Sequence, residues 1–176
     1  MLEKDTDPEV IASAISALGH LRDERAIPSI LPHANDPAED VRFCVACALG
    51  SFANNPRSVP ALLGLTKDGD EEVRDWAVFS LGVQGDADSL EIREALLRCL
   101  DDEAVDVREE AAIGLAKRKD ERVVPKLLKM LAQEASEVKV RVAEAVVTLL
   151  GLEKDPPDWR VGDYEKALRD KFGPHQ

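Results

Sequence analysis

Four Val-Arg dipeptides punctuate this 176-residue chain at nearly equal steps. Val41-Arg42, Val73-Arg74, Val107-Arg108 and Val140-Arg141 follow one another at 32, 34 and 33 residues. The first three open a run of small residues that closes in Leu49-Gly50, Leu81-Gly82 or Leu115-Ala116. A further copy without the Arg runs upstream from Val10-Ile11 to Leu18-Gly19. Repetition in the thirties specifies an array, in which each unit buries its apolar face against its neighbours rather than in one globular core.

Each unit reads as two helices. The shorter carries apolar residues at spacings of three and four, such as Ile27, Ile30 and Leu31, or Val124, Leu127, Leu128 and Leu131. Pro28, Pro60 and Pro125 fall in the first turn of three of these helices, where no N–H is needed. In the longer helix, numbered from its Val, positions one, five, eight and nine share one face. These are Val73, Ala77, Ser80 and Leu81 in one copy and Val107, Ala111, Gly114 and Leu115 in the next. Asp7-Pro8 and Asp36-Pro37 read as N-caps followed by a first-turn proline, and Gly50 and Gly82 as left-handed helix ends. The pattern gives a lone half repeat at 7–20, units at 21–52, 53–84, 85–117 and 118–151, and an amphipathic capping helix at about 163–172 built on Tyr164, Leu168 and Phe172. All belong to one array spanning residues 1–176.

Three segments carry a resemblance: Asp36-Pro37-Ala38-Glu39-Asp40-Val41-Arg42 through Ala48-Leu49-Gly50, Asp68 through Arg74 to Leu81-Gly82, and Asp102 through Arg108 to Leu115. Over about residues 7–151 the chain resembles HEAT repeats, specifically the short bacterial type of phycobilisome lyases. The resemblance implies an all-α, right-handed solenoid of stacked antiparallel helix pairs, a HEAT/ARM-like superhelix without strands. Shorter helices would line its convex face and longer ones its concave face. It also implies a ladder of Asp36 with Arg42, Asp68 with Arg74, and Asp102 with Arg108, in which charge-assisted hydrogen bonds fix each turn and link the units. Arg74 is expected to pair with Asp68 and with the acid of an adjoining unit. Ile11 in place of Arg, and Ala135 in place of Asp, should end the ladder on either side.

Positions three and seven of the longer helices point away from the core face. They are Phe43 and Cys47, Asp75 and Phe79, Glu109 and Ile113, and Val142 and Val146, with Trp76 at a position four. Three of the seven aromatic residues thus gather near one expected groove. Exposed apolar patches rimmed by charge mark partner sites, and Trp is favoured in binding hot spots. Phe43, Trp76, Phe79 and Ile113 are the expected anchors, with Glu72, Asp75, Glu109 and Glu110 drawing basic groups. In the alternative reading, superhelical curvature buries Phe43, Phe79 and Ile113 against neighbouring repeats.

Little else suggests chemistry. Cys44-Val45-Ala46-Cys47 lacks the further ligands of a zinc site and the strand–helix context of a redox motif. His20, His33 and His175 are isolated, and the His-Glu dipeptides by which some HEAT enzymes hold di-iron are absent. No phosphate loop, nucleophile elbow or HExxH occurs. No metal or cofactor is expected. A net charge of −12 repels phosphate backbones and favours a basic or amphipathic protein or peptide, or else forms a plain solvated surface. The N-terminus does not read as a signal peptide, no stretch is apolar enough to cross a bilayer, and three cysteines make no disulfide framework. The expectation is a cytoplasmic, monomeric, non-catalytic scaffold that binds a protein on its concave face. Two alternatives are an accessory lyase-like factor acting on a chromophore or modified protein, with Cys47 and Asp75 as its candidates, and a HEAT-type DNA glycosylase using Trp76 and Asp75, which the acidic charge opposes.

Overall fold

The computed structural model describes residues 7–133, 140–153, 156 and 158–173. Every regular element among them is helical. The chain divides into two compact bodies, residues up to Ala95 and from Leu96 onward, with the division inside one helix.

In the first body, α1 (Pro8–Leu21) starts as the sequence reads: the Asp7 carboxylate accepts from Glu9 N and Pro8 occupies the first turn. The outer helices are short. α2 (Ile27–Ile30) sits between 3-10 turns at Glu24–Ala26 and Leu31–Asn35, and α4 spans Val59–Leu65. The inner helices are α3 (Glu39–Gly50) and α5 (Glu71–Phe79), the latter running on into a π turn over Ser80–Gln84. Short turns join outer to inner helices, which makes each pair antiparallel. The inner helices pack α1 on α3 and α3 on α5. Positions one, five and nine turn inward in α3 and α5: Val41, Val45, Leu49, Val73, Ala77 and Leu81 are all buried.

Two local readings are corrected. Helix α3 does not start at an Asp36 cap. Its cap is Ala38, and Asp36 Oδ1 instead accepts from Ala38 N at 3.0 Å, shaping the turn before the helix. Nor do Gly50 and Gly82 end their helices in the left-handed region. Both are buried, and the positive-φ residues among those described are Arg22, Lys119, Gly151 and Gly173. Gly50 serves close approach, because a side chain there would run into Ser80 Oγ and Gln84 Oε1. Gly19 does the same for α1 on α3, where an added Cβ would lie 2.7 Å from the Ala48 Cα.

A second motif went unread in the sequence. Asp23, Asn55 and Asp120 each accept from the backbone N–H two residues on, that of Arg25, Arg57 and Arg122. Two of those arginines return a guanidinium to the same carboxylate. The turn leads into an outer helix whose Pro28, Pro60 or Pro125 follows five residues after the acid or amide.

The dividing helix is α6 (Leu90–Cys99). In the second body, α7 (Val105–Lys117) packs along α9 (Val140–Leu150), and α8 (Val124–Gln133) supplies the outer layer. A helix over the segment read as amphipathic, α10 (Val161–Phe172), lies on α8 and α9 and buries Tyr164 and Leu168. Trp159 meets Tyr164 edge-on at 5.0 Å. Helix α9 departs from the register of the earlier copies. Val140 is 81% exposed and Glu144 is exposed, while Val142 and Val146, expected to line a groove, are buried. Ala135, the expected end of the ladder, lies outside the described residues.

Candidate partner-binding surface

The Asp–Arg spacing builds a different contact from the one expected. Arg42 donates from Nη1 to the backbone carbonyls of Asp36 (2.9 Å) and Pro37 (3.2 Å) in its own turn. Its Nε and Nη2 grip the Asp68 carboxylate of the following unit at 2.7 and 2.8 Å. Arg74 repeats the first half on the carbonyls of Asp68 and Gly69, and Arg108 on those of Asp102 and Glu103. The within-turn pairing of Arg with Asp is thus through the main chain. The carboxylates of Asp36, Asp68 and Asp102 instead cap the N–H two residues on. Asp36 has an Ile11 where a preceding Arg would stand, and its carboxylate lies 3.6 Å from His33 Nδ1. The Arg42 guanidinium holds the Asp68 carboxyl below its usual range, against the opposing effect of burial. In the second body, Arg141 reaches back to the buried Glu110.

Phe43, Trp76 and Phe79 come together across α3 and α5. The Trp76 ring stands edge-on to both, with centroids 6.1 Å from Phe43 and 5.5 Å from Phe79. Trp76 is 36% exposed and its two neighbours are half-buried. Each aromatic has a carboxylate one helical turn before it: Glu39 before Phe43, Glu72 before Trp76, and Asp75 before Phe79. Residues four apart lie on one face, so the patch has an acidic border toward the N-terminal ends of both helices. Glu39 and Glu72 are exposed and Asp75 is half-buried.

Beyond the patch, toward the other ends of α1 and α3, opens a cleft of about 250 Å³ lined by Ser16, His20, Arg22, Cys47, Ser51 and Trp76, among others. Ser16 Oγ donates to Cys44 Sγ at 3.3 Å, and His20 Nδ1 bonds the Ser16 carbonyl at 2.7 Å. Burial, with Cys44 nearby, pushes the Cys47 thiol up to about 12. Sequence spacing gives no reason to put His20 and Cys47 in one cleft, because they share it only through the packing of α1 on α3.

Ile113 and Glu109, in the second body, do not line an open surface. They are 1% and 7% exposed, against the partial exposure expected of groove residues. Every residue of α7 from Glu109 to Ala116 is buried. Ala111, Ala112, Gly114 and Ala116 present so little bulk that neighbours close in and leave the helix no open face. The alternative of burial by neighbouring elements thus describes Ile113, while Phe43 and Phe79 stay between the two readings. Glu110 is likewise buried.

Among the described residues, no cluster of His, Cys, Asp or Glu is arranged to hold a metal ion. No described helix is long and apolar enough to cross a membrane.

Comparison with known proteins agrees with this architecture. Over 91 residues the chain is 38% identical to Protein YibA of Escherichia coli (strain K12), a match covering 52% of this chain and 32% of that protein. The chain therefore matches about a third of the length of that curated relative. It is similar to the X-ray structure of Escherichia coli YibA with a TM-score of 0.74 and 26% identity, over 96% of this chain and 65% of that one. It is also similar in fold to a designed armadillo repeat protein (TM-score 0.63, 17% identity, 96% of each chain). A second designed armadillo repeat protein, in complex with the peptide (KR)4, gives a TM-score of 0.60 at 22% identity over 84% of this chain and 78% of that one. The profile of HEAT repeats matches residues 1–82 and 64–147. With helix pairs, turn arginines and family profile all in agreement, the chain belongs to the HEAT-repeat family.

Proposed function

We propose that this protein is a non-catalytic scaffold whose first body binds a basic or amphipathic segment of a partner protein across α3 and α5. The observation that carries the reading is the Phe43–Trp76–Phe79 patch, with its exposed indole and a carboxylate one turn before each ring. An extended segment lying across the helices would set apolar side chains on the rings and Lys or Arg toward Glu39, Glu72 and Asp75. A repeat scaffold suits such recognition, because equivalent positions recur at regular steps along the ligand. The designed armadillo repeat protein of similar fold holds a peptide of alternating Lys and Arg.

We infer that the repeats are of the short bacterial phycobilisome-lyase type, from the resemblance carried by Asp36 through Gly50, Asp68 through Gly82 and Asp102 through Leu115. A lyase-like role for Cys47 is disfavoured, since a thiol pushed to about 12 is protonated at neutral pH and a poor nucleophile. A DNA-binding role would set phosphates against the acids bordering the patch. Cys44, Cys47 and Cys99 form no disulfide among the described residues, which suits a reducing, cytoplasmic compartment.

The test is fluorescence titration with short peptides alternating Lys or Arg with apolar residues, beside acidic and neutral controls. Binding should favour the basic peptides, weaken with salt, and be lost in a Trp76→Ala, Phe79→Ala double variant. Equal binding of all three peptide classes, or full binding by the double variant, would refute the reading.

A further inference from the structure

The turn that leads into α4 departs from its counterparts. Asp23 and Asp120 each cap the N–H two residues on and then take the guanidinium of that same residue, Arg25 or Arg122. At this register Asn55 caps the Arg57 N–H at 3.0 Å but has no charge with which to hold the side chain. Among the described residues the exposed Arg57 guanidinium makes no ion pair or hydrogen bond. Lys67 is also exposed, and its ammonium is likewise without a partner among the described residues. It stands just past the other end of α4, where the neighbouring units have Asn35 and Asp101. The second unit therefore carries an uncommitted cation at each end of its outer helix.

Both cations line one open cleft of about 740 Å³. It lies between the 3-10 turn after α2, with Leu31 and Ala34, and one face of α4, with Ala61 and Gly64. The lining there is small, and a Cβ built on Gly64 meets nothing within 4 Å. The two carboxylates of the lining are engaged. Asp68 is gripped by Arg42, and Asp36 accepts from Ala38 N with His33 Nδ1 3.6 Å away. In a chain of net charge −12, the cleft thus offers an incoming group two free cations, a local reversal of sign.

We propose that this cleft docks an extended acidic segment of a partner protein, with one carboxylate on Arg57, a second on Lys67, and small side chains crossing Gly64 between them. Arg57 and Lys67 are ten residues apart. At a helical rise of about 1.5 Å per residue, that separates them by roughly 15 Å. An extended chain rises about 3.3 Å per residue with alternate side chains on one face, so acids about four residues apart match the two cations. A single phosphate or carboxylate would reach one cation only, which favours a peptide over a small anion. The cleft belongs to the outer layer, so this reading does not rest on the patch across α3 and α5.

Fluorescence anisotropy of a labelled Gly/Ala/Ser peptide bearing two glutamates four residues apart tests this with the whole chain. Binding should weaken with salt, and Arg57→Gln and Lys67→Gln should each weaken it at least fivefold. Asn55→Asp removes no cation. It restores the carboxylate that holds Arg25 and Arg122 in their turns, and should weaken binding to the same degree. Gly64→Leu should obstruct the cleft with the same result. The Trp76→Ala, Phe79→Ala double variant should bind this peptide as wild type does, which separates the site from the surface proposed above. Circular dichroism melts confirm that the variants fold. No binding by wild type, full binding by Asn55→Asp or by Arg57→Gln with Lys67→Gln, or loss of binding in the Trp76, Phe79 variant overturns the proposal. So does inorganic phosphate that competes as effectively as the unlabelled peptide.

Discussion

Arg42 and Asp68 are 26 residues apart in sequence and joined by two parallel hydrogen bonds of 2.7 and 2.8 Å. The same guanidinium holds two carbonyls of its own turn, so one side chain ties two successive units together. Arg42→Ala should cost about 2–3 kcal/mol, because it leaves a largely buried carboxylate without its cation. A double-mutant cycle with Asp68→Asn, read by urea denaturation, should show coupling of about 1 kcal/mol or more. Additive single effects would mean that the pair is merely adjacent.

The same pair sets an acid limit. The folded-state pKa of Asp68 is depressed, with the hydrogen bond from Arg42 as the largest cause. Its contribution is fully present above the unfolded value of about 3.9 and is lost as pH falls through the lower folded value. Melting temperature followed downward from pH 5 should therefore fall more steeply in wild type than in Asp68→Asn. Parallel curves would remove Asp68 from the acid response.

Trp76 and Ile113 should respond oppositely to truncation. Ile113→Ala opens a cavity in a closed region and should cost about 2–5 kcal/mol. Trp76→Ala, at a side chain already one-third exposed, should cost less in stability while abolishing peptide binding. Thermal melts beside the titration separate the two effects.

Two glycines make a matched pair. Gly19→Ala sets a Cβ 2.7 Å from the Ala48 backbone, and the resulting shift of α1 from α3 should cost about 1–3 kcal/mol. Gly64, within α4, has open space where its Cβ would go, so Gly64→Ala should stabilise by about 0.5–1 kcal/mol. Urea midpoints check both.

Cys47 should react slowly with a disulfide reagent at pH 8, since its thiol is pushed up to about 12 and little thiolate forms. Unfolding in urea should restore an ordinary rate. Fast labelling of Cys47 in the native protein would contradict its burial.

The repeat was legible because it is local: Val41, Val73 and Val107 occupy the same turn of the same helix in each unit, and all three are buried. The arginine ladder was half legible. Six-residue spacing brings Arg42 to the turn of Asp36, but it does not say whether carbonyl or carboxylate receives it, and the carboxylate that does belongs to the next unit. Phe79 and Ile113 hold the same register position, and sequence gave them one role. Their surroundings differ, because α7 carries a run of small residues that lets neighbours seal it and α5 carries Trp76 instead. The slip of α9 was invisible for a related reason: Val140-Arg141 repeats the dipeptide, while Glu144 stands where the earlier copies bury Val45, Ala77 or Ala111.

The π turn after Phe79 has a consequence for how this surface could diversify. Gly85 N–H reaches back five residues to the Ser80 carbonyl at 2.9 Å, which widens the last turn and carries Gln84 to the side-chain-free spot at Gly50 and the rim of the cleft. The cleft wall is therefore shaped by the way a helix finishes. One residue gained or lost between Leu81 and Gly85 would redraw the lining while the buried Val73, Ala77 and Leu81, which lie ahead of it, keep their contacts. Selection, or a designer, has in that turn a means of changing what is recognised without disturbing what is packed.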